Sequence, residues 1–185
     1  MVAVPSQMTW LVGQRLTDTA LNDDIRDAVN FLLNPPRVQV YDVTTATNIP
    51  DDSVASGTYY PISFGSETGP LGFDSDGVHS IVSQKSRLTI VTPGTYLVSG
   101  LYTAAANATG YRWARWLVNS TNYGPHVRMP ANSGVETTVA APTLQIVCAA
   151  GDWIELAARQ SSGGTLATGI ASPAYCMASA LWIAA

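Results

Sequence analysis

Leu88-Thr89-Ile90-Val91-Thr92-Pro93-Gly94-Thr95-Tyr96-Leu97-Val98-Ser99 is the stretch on which the reading of this 185-residue chain turns. β-Branched and apolar residues fill both of its halves, and Thr92-Pro93-Gly94 divides them. Proline presets φ at a turn position and glycine takes conformations other residues avoid. The triplet therefore makes a tight turn between a short strand, Arg87–Val91, and a long one, Thr95–Ala104.

The period of two continues outward from there. Further candidate strands are Arg37–Val43, Thr58–Phe64, Val78–Ser83, Tyr111–Asn119, Val135–Ala140, Thr143–Cys148, Asp152–Gln160 and Ala174–Ala184. Turn formers separate them, among them Ser66-Glu67-Thr68-Gly69-Pro70, Ala131-Asn132-Ser133-Gly134 and Ala149-Ala150-Gly151. Gly151-Asp152 makes a turn of the same kind as Pro93-Gly94. Many short strands with regular turns and no helix between them argue for an all-β fold, an antiparallel sandwich or barrel.

Several strands are apolar on both faces. Tyr111–Asn119 puts Tyr111, Trp113 and Leu117 on one side and Ala114, Trp116 and Val118 on the other. The last strand puts Tyr175, Met177, Leu181 and Ile183 against Cys176, Ala178, Ala180 and Trp182. A sandwich solvated on its outer faces alternates apolar with polar residues. Two apolar faces imply that one packs the core and the other meets a neighbouring subunit, so Trp113, Trp116, Tyr175 and Trp182 are candidates for core or subunit interface.

The first 36 residues differ from the rest. Thr17-Asp18-Thr19 offers an N-cap, and Asp23 and Asp24 fall early in a helix, where the macrodipole favours acids. Leu21, Ile25, Ala28, Val29 and Leu32 repeat at helical spacing, and Asn34-Pro35-Pro36 stops the helix after about four turns. A helix of that length is marginal alone and needs something to pack on. Docking onto another subunit or a larger particle is the expectation; folding back onto its own domain is the alternative. Met8, Trp10, Leu11 and Val12 form an apolar but non-periodic arm that would order on binding. Trp10, Leu21, Ile25, Val29 and Leu32 are the candidate anchoring residues, with residues 1–36 as the anchor and 37–185 as the β domain.

Charged residues make up 12% of the chain, against roughly 25% in a typical soluble domain. Ser, Thr, Asn and Gln cover the surface instead, and an uncharged surface suits subunit contacts, because a charge loses hydration on burial. The low charge is read as a sign of oligomerisation, with a Ser- and Thr-coated monomer as the alternative. A net charge of −4 without a basic stripe gives no footprint for nucleic acid. The start lacks a signal peptide and no segment approaches a membrane span, so assembly in the cytoplasm without membrane insertion is expected. Cys148 and Cys176 stand apart from any CxxC or neighbouring histidine and read as small core residues; a disulfide between neighbouring strands is the alternative.

The supply of catalytic groups is thin. His79 and His126 are lone loop histidines, read as surface residues, and no serine stands in a Gly-x-Ser-x-Gly elbow. Asp152 and Glu155, the carboxylates a glycosidase would need across a cleft, fall on opposite faces of one strand. Asp74-Ser75-Asp76-Gly77 begins like a calcium loop, but the twelfth position is Lys85 rather than an acid, so a solvated turn is expected. No catalytic residue, metal or cofactor is assigned. Asn119–His126 is read as an exposed loop able to bind sugar or protein, with Asn122, Tyr123 and His126 as its candidate ligand residues.

From about Tyr59 to the C-terminus the chain resembles the jelly roll shared by the globular heads of complement's first component and the tumour-necrosis-factor family. The carrying residues are Pro61-Ile62-Ser63-Phe64, Phe73-Asp74, Leu88 to Ser99, Trp116-Leu117-Val118-Asn119, Ala150-Gly151-Asp152-Trp153-Ile154-Glu155-Leu156 and Leu181-Trp182-Ile183. The resemblance implies two packed antiparallel sheets and a homotrimer with a largely apolar axis. It implies no ligand, because this fold carries many binding activities. Leu21 to Pro36 resembles the opening of minor virion proteins of tailed actinobacterial phages, in which a short helix ending in paired prolines precedes a β-rich appendage. That agrees with the arginine bias, eight Arg to one Lys. The implied function is a non-enzymatic virion component, tail-associated or capsid-decorating (a head fibre). It would be anchored to other phage virion proteins and could adhere to host-surface glycan or protein. A free trimeric lectin and a virion glycan hydrolase are the alternatives.

Overall fold

The computed structural model describes residues 12–13, 15, 17–21, 25–42, 46–54, 56–171 and 174–185. Two helical segments, α1 (Asp18–Leu21) and α2 (Asp27–Leu33), lead into the strands. These are β1 (Arg37–Tyr41), β2 (Asn48–Ile49), β3 (Tyr60–Pro61), β4 (Phe73–Asp74), β5 (Leu88–Thr89), β6 (Gly94–Ala104), β7 (Tyr111–Val118) and β8 (Thr121–Pro130). They continue as β9 (Thr137–Ala140), β10 (Leu144–Cys148), β11 (Trp153–Gln160), β12 (Leu166–Ala167), β13 (Ile170–Ala171), β14 (Ala174–Tyr175) and β15 (Met177–Ala184).

Two antiparallel sheets carry the fold. The first runs β10-β6-β15-β1-β4, with β9 also on β6; the second runs β3-β11-β7-β8, with β5 also on β11. The expected alternation holds in β6, which buries Tyr96, Val98, Tyr102 and Ala104 and turns Thr95, Leu97, Ser99 and Leu101 outward. The core closes between the sheets, with Val38, Val40, Ile146 and Ala178 meeting Trp116, Ile154, Leu156 and Phe64. Trp116 is fully buried and its indole N–H donates to the Pro142 carbonyl at 2.7 Å, so its one polar atom is satisfied. The molecule is an all-β antiparallel jelly-roll sandwich with a short N-terminal helix.

Thr92-Pro93-Gly94 leads into the long strand as read, but it carries the chain from β5 of the second sheet to β6 of the first. Gly94 has φ +147°, and a Cβ there would lie 2.2 Å from Trp182 Nε1. Only glycine lets β6 start against that indole, whose N–H donates to the Pro93 carbonyl at 3.1 Å.

Three expectations are corrected. Val78–Ser83 is a loop rather than a strand, because the carboxylate of Asp74 takes the backbone N–H groups of Asp76 and His79 and curls the chain. Asn119–His126 is not a loop: Asn119 and Ser120 form a two-residue turn with φ of 49° and 63°, and β8 begins at Thr121. Asparagine tolerates the left-handed region, so a tight hairpin forms without glycine. The long final strand is interrupted at Cys176. Within the expected helix the described residues are helical at Asp18–Leu21 and from residue 25 onward, and α2 ends as expected before Asn34, whose N–H reaches the Asn30 carbonyl at 3.0 Å.

Cys148 and Cys176 are free and buried. Cys148 pairs with Gly94 at one end of β6, while Cys176 contacts Thr103 near the other end. Nine residues of strand, about 30 Å, keep them apart, which removes the disulfide alternative. Arg112 is a buried charge that the sequence does not announce. Its guanidinium donates to the carbonyls of Thr109, Tyr111 and Asn107 and ties down the β6–β7 loop. Burial holds its pKa below the ordinary arginine value.

Candidate functional site

Two surfaces of the sandwich hold the features that bear on function. The first is the outward side of the six-stranded sheet. Pairing brings Leu181 opposite Leu97, Ser179 opposite Ser99, and Met177 opposite Leu101, and Ile183 continues the row. Leu97, Leu181 and Ile183 are 36%, 39% and 39% exposed, and Val147 on β10 is 77% exposed. The Ser99 and Ser179 hydroxyls satisfy each other at 2.8 Å. Among the outward positions of β1, β6, β9, β10 and β15, Arg37 is the one charged residue, and its guanidinium lies over Phe73 at 5.2 Å. Thr95, Ser99, Gln145 and Ser179 stand among these apolar side chains, so the face is neutral apart from Arg37, a composition that suits subunit contacts.

The second surface is the outward side of the five-stranded sheet, where Tyr59, Trp113, Leu117 and Ala157 form a separate cluster. Arginines roof it. Arg115 lies over Tyr59 at 5.1 Å and Arg159 over Trp113 at 4.8 Å, with Arg128 over Tyr111 and Arg87 over Trp153 farther out. Arg159 also forks onto both oxygens of Asp52. The hydrogen bond from Arg159, with one from the Gly57 N–H, holds the Asp52 carboxyl below the usual range. Burial raises the pKa of Tyr59, against the pull of Arg115 and Arg159. Arg115 further donates to the Gly124 carbonyl at 2.6 Å, fixing the bulge where β8 departs from β7. Beside Tyr59 a groove of about 410 Å³ runs between residues 57–59 and the β7–β8 hairpin.

The candidate ligand residues divide. Asn122 pairs with Leu117, on the outward side, and lines this groove. His126 stands over the same side, its ring 6.2 Å from that of Tyr59. Tyr123 pairs with Trp116 and so belongs to the opposite, inward side of the strand. The three residues lie on an edge strand and share no single face. Thr58, Tyr59 and Leu117, which complete the groove, were missed. They come from a distant segment and from the partner strand, and no local signal joins them.

Of the aromatic candidates, Trp116 is in the inter-sheet core, whereas Trp113 lies on the outward side of the second sheet, buried beneath Arg159. The opposite-face reading of that strand is thus realised. Tyr175 is half-buried with its ring 5.9 Å from that of Tyr41. Trp182 meets Phe31 of α2 edge-on at 4.7 Å. Phe31 is the helix residue that is buried, while Ile25, Val29 and Leu32 of the expected stripe stay exposed. Trp10 and the Leu21 side chain lie outside the described residues.

The groups examined for chemistry are engaged in structure. His79 is buried rather than superficial, because the polypeptide closes around it: Nδ1 lies 2.7 Å from Glu67 Oε2 and Nε2 lies 3.0 Å from the Lys85 carbonyl. Asp76 accepts the Thr92 hydroxyl at 2.8 Å, so with Asp74 it braces its own turn. Glu155 accepts the Ser86 hydroxyl at 2.7 Å, and Asp152 accepts from Asn119 and the Ala149 N–H. Among the described residues no group of three or more metal-ligating side chains converges, and no helix is long and apolar enough to cross a membrane.

This architecture defines a class, the jelly-roll β-sandwich with a tumour-necrosis-factor-like fold. No family model and no curated protein matches the chain. Solved structures do match. The crystal structure of murine APRIL at pH 5.0 superposes with a TM-score of 0.50 at 10% identity, covering 79% of this chain and 98% of that one. The structure of Eiger TNF from S. frugiperda gives a TM-score of 0.49 at 11% identity, covering 80% and 93%. At such identities the likeness to APRIL establishes the fold alone.

Proposed function

We propose that this chain is a non-enzymatic structural component of a phage virion. In this reading it is a homotrimeric surface appendage, tail-associated or capsid-decorating, attached to other virion proteins through its N-terminal segment and adhering to host-surface glycan or protein. The observation that carries the reading is the outward side of the six-stranded sheet. Leu97, Leu181, Ile183 and Val147 are exposed there among uncharged polar residues, with Arg37 as the one charge. Copies packed around a threefold axis would cover this side at little electrostatic cost.

The helix supports the attachment half of the reading. Phe31 and Trp182 hold α2 to the sandwich, and Ile25, Val29 and Leu32 stay exposed beside it. A seven-residue helix so fastened presents its stripe to a partner without having to fold on arrival.

Light scattering on the purified chain is the first test. A mass near three times 19.5 kDa is expected, and a clean monomer refutes the trimer. Replacing Ile25, Val29 and Leu32 by serine tests the anchor. The trimer is expected to persist and incorporation into particles to be lost; normal incorporation overturns the anchoring role.

A further inference from the structure

We infer that the groove between residues 57–59 and the β7–β8 hairpin is a binding site for a neutral saccharide. This rests on the reading of the module as an adhesive appendage and names the ligand class its outward surface takes.

The walls are Thr58, Ser120, Thr121 and Asn122, all exposed. None of these four side chains makes a hydrogen bond to a described residue. Three hydroxyls and one amide thus converge on one cleft with donors and acceptors uncommitted. Sugar hydroxyls, each donor and acceptor at once, are the complement to such a mixture. The floor is Tyr59 and Leu117, both buried, with the Arg115 guanidinium stacked on the Tyr59 ring, so the cleft is shaped before a ligand arrives. The Tyr59 hydroxyl is buried and, among the described residues, meets no geometrically good hydrogen-bond partner, although Arg115 and Arg159 stand near it. A cleft of about 410 Å³ lies within the range of small-ligand sites.

Charge selects among ligands. The lining carries no carboxylate and no ammonium or guanidinium group, which favours a neutral sugar over an acidic one. A peptide adding to the sheet edge is the other occupant to weigh. Pro125 and Pro130 lack N–H groups, and the bulge at Gly124–His126 breaks the edge of β8, so strand addition is blunted there.

Ser120 adds an independent observation. Its φ of 63° lies in the left-handed region at the second turn position, where glycine relieves the strain that serine bears. The turn is also pinned. Asn119 donates to Asp152 Oδ1 at 2.8 Å and accepts the Trp153 N–H at 3.0 Å. Serine at that place holds a hydroxyl at the mouth of the groove at the expense of hairpin stability, as expected where a side chain serves binding.

Calorimetric titration of the full chain with cellohexaose, maltohexaose and mannohexaose, and with an oligogalacturonate hexamer as the acidic control, tests the site. At least one neutral hexamer is expected to bind, and Asn122→Ala is expected to weaken it about ten-fold, the loss of one good hydrogen bond. Ser120→Gly separates this role from a structural one: it should raise the melting temperature while weakening binding. Absence of binding by all three neutral hexamers at millimolar concentration overturns the assignment. So does preference for the acidic hexamer, or unchanged affinity in both variants. The same samples weighed by light scattering keep the outcomes apart, since the site can fail while the trimer stands.

Discussion

Leu97→Arg is the perturbation that bears hardest on the assembly. Leu97 faces outward on β6, directly opposite Leu181 and about a third exposed. In a single chain the new guanidinium reaches water, and a surface change of that kind shifts folding stability by no more than about 0.5 kcal/mol. In a trimer that covers the face, the same group loses its water where no outward-facing acid is available to pair with it. The effective penalty for burying an unpaired ion is several kcal/mol; at about 3 kcal/mol per copy, three copies cost about 9 kcal/mol. The lost leucine burial, roughly a third of a side chain, adds only about 0.5–1 kcal/mol per copy. The charge decides the outcome, and at about 1.4 kcal/mol per factor of ten the association constant falls roughly a million-fold. Light scattering over a dilution series, with a thermal melt followed by circular dichroism, reads both quantities. A variant that keeps its fold and drops to 19.5 kDa is the expected result. A variant still weighing three times that figure would show that this face is not the contact, and the reasoning from its missing charges would fall.

Other consequences concern the single chain. Phe31→Ala removes the edge-on contact with Trp182 and is expected to cost about 2–4 kcal/mol of helix docking; hydrogen exchange at residues 27–33 should rise sharply while the sheets keep their protection. Gly94→Ala places a Cβ against the Trp182 indole at a φ that disfavours side chains, and a loss of about 2–4 kcal/mol in denaturant unfolding is expected from overpacking and strain together. Asp52 has a depressed carboxyl pKa, so its contribution is present above its unfolded value of about 3.9 and disappears as pH falls through the lower folded value. Melting temperatures of Asp52→Asn should accordingly fall less steeply than those of the unaltered chain below about pH 4. Burial pushes the thiols of Cys148 and Cys176 up to about 11 and about 12, so neither should react with a thiol reagent at neutral pH until the chain unfolds.

The sandwich was legible in the sequence because strand alternation and turn chemistry are local. Thr92-Pro93-Gly94 marks its turn by the backbone preferences of two residues, and Tyr111–Asn119 reveals two buried faces by its spacing alone. The same logic failed where the deciding partner is remote. β8 is polar and exposed along most of its length, so nothing in its own residues marks it as a strand; it exists because Asn119 and Ser120 reverse the chain and β7 supplies the hydrogen bonds. The helix showed its apolar stripe, but which residue faces the body depends on Trp182, far along the chain, and it chose Phe31. His79 read as a surface residue until Glu67 and the Lys85 carbonyl enclosed it. The groove joins residues 57–59 to residues 117–122, a meeting made by the order of strands in a sheet. Sequence alone therefore determined periodicity, turns and the split of each strand into two faces. Burial, pairing and the convergence of side chains into a site waited on tertiary structure, because each is a relation between segments that the chain brings together only by folding.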